Sequence, residues 1–166
     1  MIDEMSLVPL NAVFKVDHGN KFDLNKMSPP KPGHDAIAFV GRSGTRNGIA
    51  TFVAPVVGSA AFSAGLITVA LGGAALASFV QPKAFYTAQN IDVLTPLQAM
   101  SLDEKLFYCR CIEANRYRYS TFGREANRTL KGLLIPDRNS VPAWVDGITA
   151  RSMMELSKDL LAASIS

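Results

Sequence analysis

Between Asn47 and Pro82 no residue carries a charge, and this uncharged run constrains the chain more than any other feature. Its central part, Val56 to Val80, is long enough to cross a bilayer as a helix. The residue types argue against that. Gly58, Gly65, Gly72 and Gly73 interrupt it, together with Ser59, Ser63, Thr68 and Ser78, and fewer than half of its residues are large aliphatics or aromatics. Leu66 to Leu71, closed by Gly72-Gly73, therefore reads as a short buried strand and its turn. A membrane-associated protein using Val56 to Val80 stands as an alternative.

The surrounding pattern is that of strands. Val13 to Val16, Ala36 to Val40, Ile49 to Val53, Leu66 to Leu71, Ala77 to Val80 and Ile91 to Leu94 are short apolar runs bounded by Pro, Gly and Asn. Pro29, Pro30 and Pro32 mark an irregular loop. After residue 100 the period changes. Ser101-Leu-Asp-Glu104 predicts a capping box, in which the serine accepts from the Glu104 amide and the Glu104 side chain reaches back. Helix-compatible sequence runs from Leu102 to about Tyr119, with Leu102, Leu106 and Cys109 on one stripe. Arg124 to Lys131 suits another turn or two, and Leu133-Leu-Ile135 before Pro136 suits a last strand. A final helix is expected near Thr149, with Met153, Leu156, Leu160 and Ala163 at a/d spacing. The expected architecture is α+β: a small, mixed, β-rich domain over residues 1–145 with a capping helix. A helical segment over 146–166 begins a coiled-coil-like spacer.

Composition narrows the function classes. With 166 residues, 48% hydrophobic and 19% charged, the chain can bury a core and is not disordered. Its two cysteines make no disulfide scaffold and suit a reducing compartment, and acids near Met1 stand where a secretory leader carries Lys or Arg, so a cytoplasmic location is expected. Seventeen basic against fourteen acidic residues permit nucleic acid without demanding it.

Three constellations bear on chemistry. Gly41-Arg-Ser-Gly-Thr-Arg-Asn-Gly48 is a glycine-rich loop that can cradle phosphate on its amides, or simply connect two strands through an Asn47-Gly48 turn. It lacks the Lys-Ser/Thr pair of a Walker loop. Arg42 and Arg46 suit contact with a DNA backbone under either reading. Cys109 and Cys111 diverge by about 200° on a helix, so they cannot share one metal, and no metal is expected. The third is the basic, aromatic segment from Arg110 to Lys131, where only Glu113 and Glu125 oppose the cations. Its Arg116, Arg118, Arg124, Asn127 and Arg128, with Tyr117 and Tyr119, are residue types that contact phosphate. Its plainer reading is a solvated helical face. No nucleophile elbow, zinc-protease motif or carboxylate pair is present, and His18 beside Asp17 reads as a turn pair, so no catalytic residue is assigned.

Four blocks in order carry a resemblance: Leu10 to Met27, Phe39 to Ile49, Gly65 to Gly73 with Phe79 to Leu94, and Lys105 to Tyr119 with Gly123 to Leu130 and Leu134 to Pro136. Together, over about residues 7–145, they resemble the target-recognition domain of restriction–modification DNA-specificity subunits, of type I and the related type IIB and IIG systems. The resemblance implies a non-catalytic subunit. It would read duplex DNA for a partner adenine methyltransferase, often with a restriction subunit, S-adenosylmethionine being bound by the methyltransferase alone. Two such domains normally flank a helical spacer. Here the second domain and most of the spacer are missing, which implies a half-subunit that pairs with another copy, or part of a longer chain. Blocks shared among members with different targets imply phosphate-positioning roles for Arg42, Arg46, Arg116, Arg118, Arg124 and Arg128. Base readers are then expected in Ser28 to His34, with Lys31, His34 and Asp35, and in the apolar Ala54 to Ser63, which suits thymine methyl groups. The alternative of another class is a protein-only module that binds the methyltransferase without DNA.

Overall fold

The computed structural model describes residues 5–116 and 130–165. A four-stranded antiparallel sheet has the order β2 (Phe14–His18), β8 (Ile91–Pro96), β5 (Ile67–Ala70) and β6 (Ser78–Val80). A three-stranded sheet places β3 (Ile37–Val40) between antiparallel β4 (Ile49–Val53) and parallel β7 (Phe85–Thr87). β1 (Leu7–Pro9) and β9 (Leu134–Pro136) form a separate antiparallel ribbon. The helices are α1 (Leu102–Glu113) and α2 (Ile148–Ile165).

Side-chain alternation builds the layers. Ala38 and Val40 point from β3 to one face, where they meet Phe85 of β7 and Val93 of β8, the seam between the sheets. Phe39 points the other way and packs with Val53 and Tyr86 under a cover of Phe22, Met27 and Val56. The four-stranded sheet sends Phe14, Ile67, Val69 and Leu94 against Tyr108, Cys109 and Ile112 of α1. Tyr108 is fully buried, stands edge-on to Phe14 at 5.4 Å, and donates its hydroxyl to Pro136 O at 2.9 Å.

The uncharged run is therefore strands and turns: β4, β5, β6 and their connections. No helix among the described residues is long and apolar enough to cross a membrane, so the spanning-helix alternative for Val56 to Val80 is overturned. Two strands were missed. β7 is three consecutive buried residues, too short to show alternation, and β1 ends in a proline tolerated because it pairs only with the ribbon partner β9.

The expectations for α1 need three corrections. Leu102 and Leu106 are exposed, and the buried stripe is Tyr108, Cys109 and Ile112, because the core lies against the second half of the helix. Ser101 Oγ accepts from Glu104 N at 3.2 Å as expected, but the Glu104 carboxylate does not reach back; it bonds Arg138 at 2.8 Å. The helix stops at Glu113, short of Tyr119, where Asn115 Nδ2 donates to Cys111 O at 3.1 Å. Leu130–Gly132 forms a 3-10 turn, while the rest of the predicted turn at Arg124 to Lys131 lies outside the described residues. α2 begins at Ile148, and Asp103 of α1 caps it, accepting from Gly147 N at 2.8 Å, Thr149 N at 3.2 Å and the Thr149 hydroxyl.

Candidate nucleic-acid interface

Both sheets end at one place. β3 and β7 run parallel, with Val40 opposite Thr87 and Ala88 N donating to Val40 O at 2.9 Å, so the chain leaves both strands at the same end. Three residues after Thr87 the chain enters β8, whose first residues pair with the last of β2 and β5, His18 opposite Asp92 and Ala70 opposite Ile91. Four connections emerge together there: Gly41 to Gly48, Leu71 to Ala77, Gly19 to Lys21, and Gln89-Asn90.

The Leu71 to Ala77 turn ties them. Leu71 N donates to Asn90 O at 2.9 Å, Ala74 N to Arg42 O at 3.1 Å, and Arg116 Nε to Ala75 O at 3.1 Å. Gly73 has φ +65°, and a Cβ there would lie 3.0 Å from Arg42 Cβ, so glycine lets turn and loop meet. The expected contact residues Arg42 and Arg116 thus lean on one short turn, although they are far apart in sequence. Arg118, Arg124, Asn127 and Arg128 lie outside the described residues.

The Gly41 to Gly48 loop is a hairpin connection that closes on itself. Gly41 N donates to Gly48 O at 2.8 Å, Gly48 N to Thr45 O at 2.9 Å, and Thr45 N to Ser43 Oγ at 3.1 Å. Those three amides are occupied within the loop, and the exposed side chains of Arg42 and Arg46 face outward from it. Its second half is strained: Arg46 and Asn47 have φ of +54° and +57°. A buried polar clamp holds it there. Asn47 Nδ2 donates to Val80 O at 3.1 Å, and fully buried Gln81 donates through Nε2 to Asn47 O at 3.0 Å and Thr68 Oγ1 at 2.9 Å. Arg42 and Arg46 are exposed and, among the described residues, make no side-chain hydrogen bond or ion pair.

His18 is not in a turn pair with Asp17. Its Nδ1 meets Asp92 Oδ1 at 2.8 Å, while Asp17 stands 3.6 Å from Lys15. Burial pushes the Asp92 carboxyl up, against the opposing hydrogen bond and charge of His18 and the charge of Lys131. The two segments expected to read bases are brought together: Ala54 N donates to Ser28 O at 2.9 Å, and both border a cavity of about 610 Å³ with Lys21, Lys26 and Gln89. Val57 is wholly exposed at the tip of its turn, whereas Val56 packs inward and donates its amide to the Tyr86 hydroxyl at 3.0 Å. Sequence reading passed over Lys21, Gln89 and Asn90, because only the meeting of the two sheets gives them a common place. Among the described residues no group of three His, Cys, Asp or Glu could hold a metal.

No protein-family model and no curated protein sequence matches the chain. Solved structures do. The S subunit of a type I restriction-modification system from M. genitalium superposes with TM-score 0.62 at 12% identity, over 98% of this chain and 43% of its own. A chain from work on complex assembly and conformational transition of the type I R-M system gives 0.66 at 13%, over 99% and 43%. The HsdS subunit from Thermoanaerobacter tengcongensis gives 0.64 at 12%, over 91% and 39%. The chain has the α+β fold found in these S subunits and spans about two-fifths of their length.

Proposed function

We propose that this chain is a DNA target-recognition domain with one recognition unit, which reads duplex DNA for an adenine methyltransferase and has no catalytic activity of its own. The observation that carries this reading is the S-subunit fold over nearly the whole chain. The arginine loop at the shared end of both sheets supports it. Arg42, Arg46 and Arg116 are assigned to the phosphate backbone, with Arg118, Arg124, Asn127 and Arg128 assigned from sequence alone. S-adenosylmethionine is assigned to the methyltransferase, with which a restriction subunit can assemble, and the place of action is the cytoplasm. α2 is the start of the spacer that joins this unit to a second one. Met153, Leu156 and Leu160 on it are each more than half exposed, which supports pairing with another helix.

The test is a titration of the chain against randomised duplex DNA at two salt concentrations, with and without an adenine methyltransferase subunit of a type I system. Binding is expected to weaken by about 0.9 log units per log of salt for each phosphate contact. Arg42→Ala, Arg46→Ala, Arg124→Ala and Arg128→Ala should each flatten that slope. If no duplex binds at low salt with the methyltransferase present, DNA reading is refuted, and retained methyltransferase binding would then identify a protein-only module.

A further inference from the structure

The shared end of the sheets carries a second set of polar side chains, apart from the arginine loop. His18, Lys21, Gln89 and Asn90 line two adjoining concavities of about 220 and 610 Å³ that meet at Lys21. The backbone beneath them is rigidly built. Thr87, fully buried, donates through N to Asn20 Oδ1 at 3.1 Å and through Oγ1 to Asn20 O at 2.9 Å, and it accepts from Phe22 N at 3.3 Å. Lys21 therefore projects from a clamped segment. Asn90 sits at φ +58° with its carbonyl held by Leu71 N, in the link that carries the chain from one sheet to the other.

The imidazole is held too. His18 is largely exposed, yet it bonds Asp92, which is 1% exposed and has no other side-chain hydrogen-bond partner among the described residues. With Nδ1 held against that carboxylate, the ring is oriented and its Nε2 is left without a partner among the described residues. Lys21, Gln89 and Asn90 make no side-chain hydrogen bond or ion pair among the described residues. A rigid frame that leaves one cation, two amides and one oriented imidazole nitrogen unpaired is set up for a ligand with phosphates and base edges.

We infer that this corner groove is a second DNA-strand contact site, in which Lys21 holds a phosphate while His18, Gln89 and Asn90 meet base edges. The inference rests on the proposed DNA-reading function and shifts base reading away from Ser28 to His34. The chemistry matches: a side-chain amide pairs with adenine N6 and N7, and an imidazole nitrogen hydrogen-bonds a polar group on a base edge. The groove is continuous with the arginine loop, because Leu71 bonds Asn90 at the start of the turn whose Ala74 bonds Arg42.

Selection of bound sequences from a randomised duplex pool tests it, using the whole chain with the methyltransferase subunit and each single variant. His18→Ala and Gln89→Ala are expected to relax the selected motif at one position each, losing about 5- to 150-fold discrimination there. Lys21→Ala should leave the motif unchanged and flatten the salt slope by about 0.9. If the wild type selects a motif and all three variants keep its sequence and salt slope, the groove assignment is wrong while DNA reading stands. A uniform loss of affinity in His18→Ala and Gln89→Ala, with the motif intact, overturns their base-reading role. A wild type that selects no motif and binds no duplex removes the DNA-reading function and this inference with it.

Discussion

Gly19 shows how one residue constrains the site. A Cβ there would lie 2.1 Å from Thr87 Oγ1 and 2.8 Å from the Ile91 carbonyl, so no other residue fits unless the clamp on Asn20 shifts. Gly19→Ala is expected to cost about 1–3 kcal/mol, read from the urea midpoint. Gln81→Ala should cost about as much, about 1–3 kcal/mol, since it strips buried Thr68 and Asn47 of a donor. It should also loosen Arg46 and so weaken duplex binding. The cysteines give a prediction with a sign. Burial pushes the Cys109 thiol up to about 12 and the Cys111 thiol to about 11. The folded state thus keeps protons that the unfolded chain releases above about pH 8.5. Their contribution to stability is complete below that pH and declines as pH rises towards the folded values. The drop in urea midpoint between about pH 8 and pH 10.5 should be smaller in Cys109→Ala than in the wild type.

At the scale of elements, α1 is placed by its first turn and α2 by a residue of α1. Ser101→Ala removes the cap on Glu104 N and is expected to cost about 1 kcal/mol. Asp103 serves the other helix: hydrogen bonds from Thr149 and Gly147 hold its carboxyl below the usual carboxylate range. A depressed carboxylate stabilises the fold above its unfolded value of about 3.9 and loses that effect as pH falls through the folded value. Asp103→Ala should therefore speed hydrogen exchange at Gly147 and Thr149 while leaving the sheet amides protected. The glycine-rich loop teaches the same point about elements. Its composition suits a phosphate cradle and a connection alike, and the hydrogen bonds that close it on itself make it a hairpin connection that leaves Arg42 and Arg46 exposed.

At the scale of the whole molecule, two sheets with different strand directions meet so that connections from four parts of the chain share one end. DNA contact is proposed for that end, while α2 is anchored at its start by Asp103 of α1 and carries its apolar side chains in solvent. If α2 joins this unit to another, the chain should sediment as a dimer at micromolar concentration. Leu156→Glu with Leu160→Glu should return it to a monomer with an unchanged near-ultraviolet spectrum. An unchanged mass in the double variant would refute pairing through α2.

Much of the fold is legible in the sequence. Short apolar runs between Gly, Pro and Asn located β2 to β6, β8 and β9, since alternation and turn chemistry are local properties, and Ser101 announced α1 because a cap needs only four residues. The uncharged run, too glycine-rich for a lipid-facing helix, read correctly as strands. The rest depended on contacts between distant residues. His18 looked like a partner of its neighbour Asp17, yet its carboxylate comes from Asp92, because antiparallel pairing of β2 with β8 sets them opposite each other. β7 has three residues and no alternation, and it is a strand only because β3 offers a parallel edge. Local sequence determined which segments were strands, turns and helices. Only the packing of two sheets determined which connections became neighbours, because that proximity is fixed by strand order and register, which no short stretch of residues encodes.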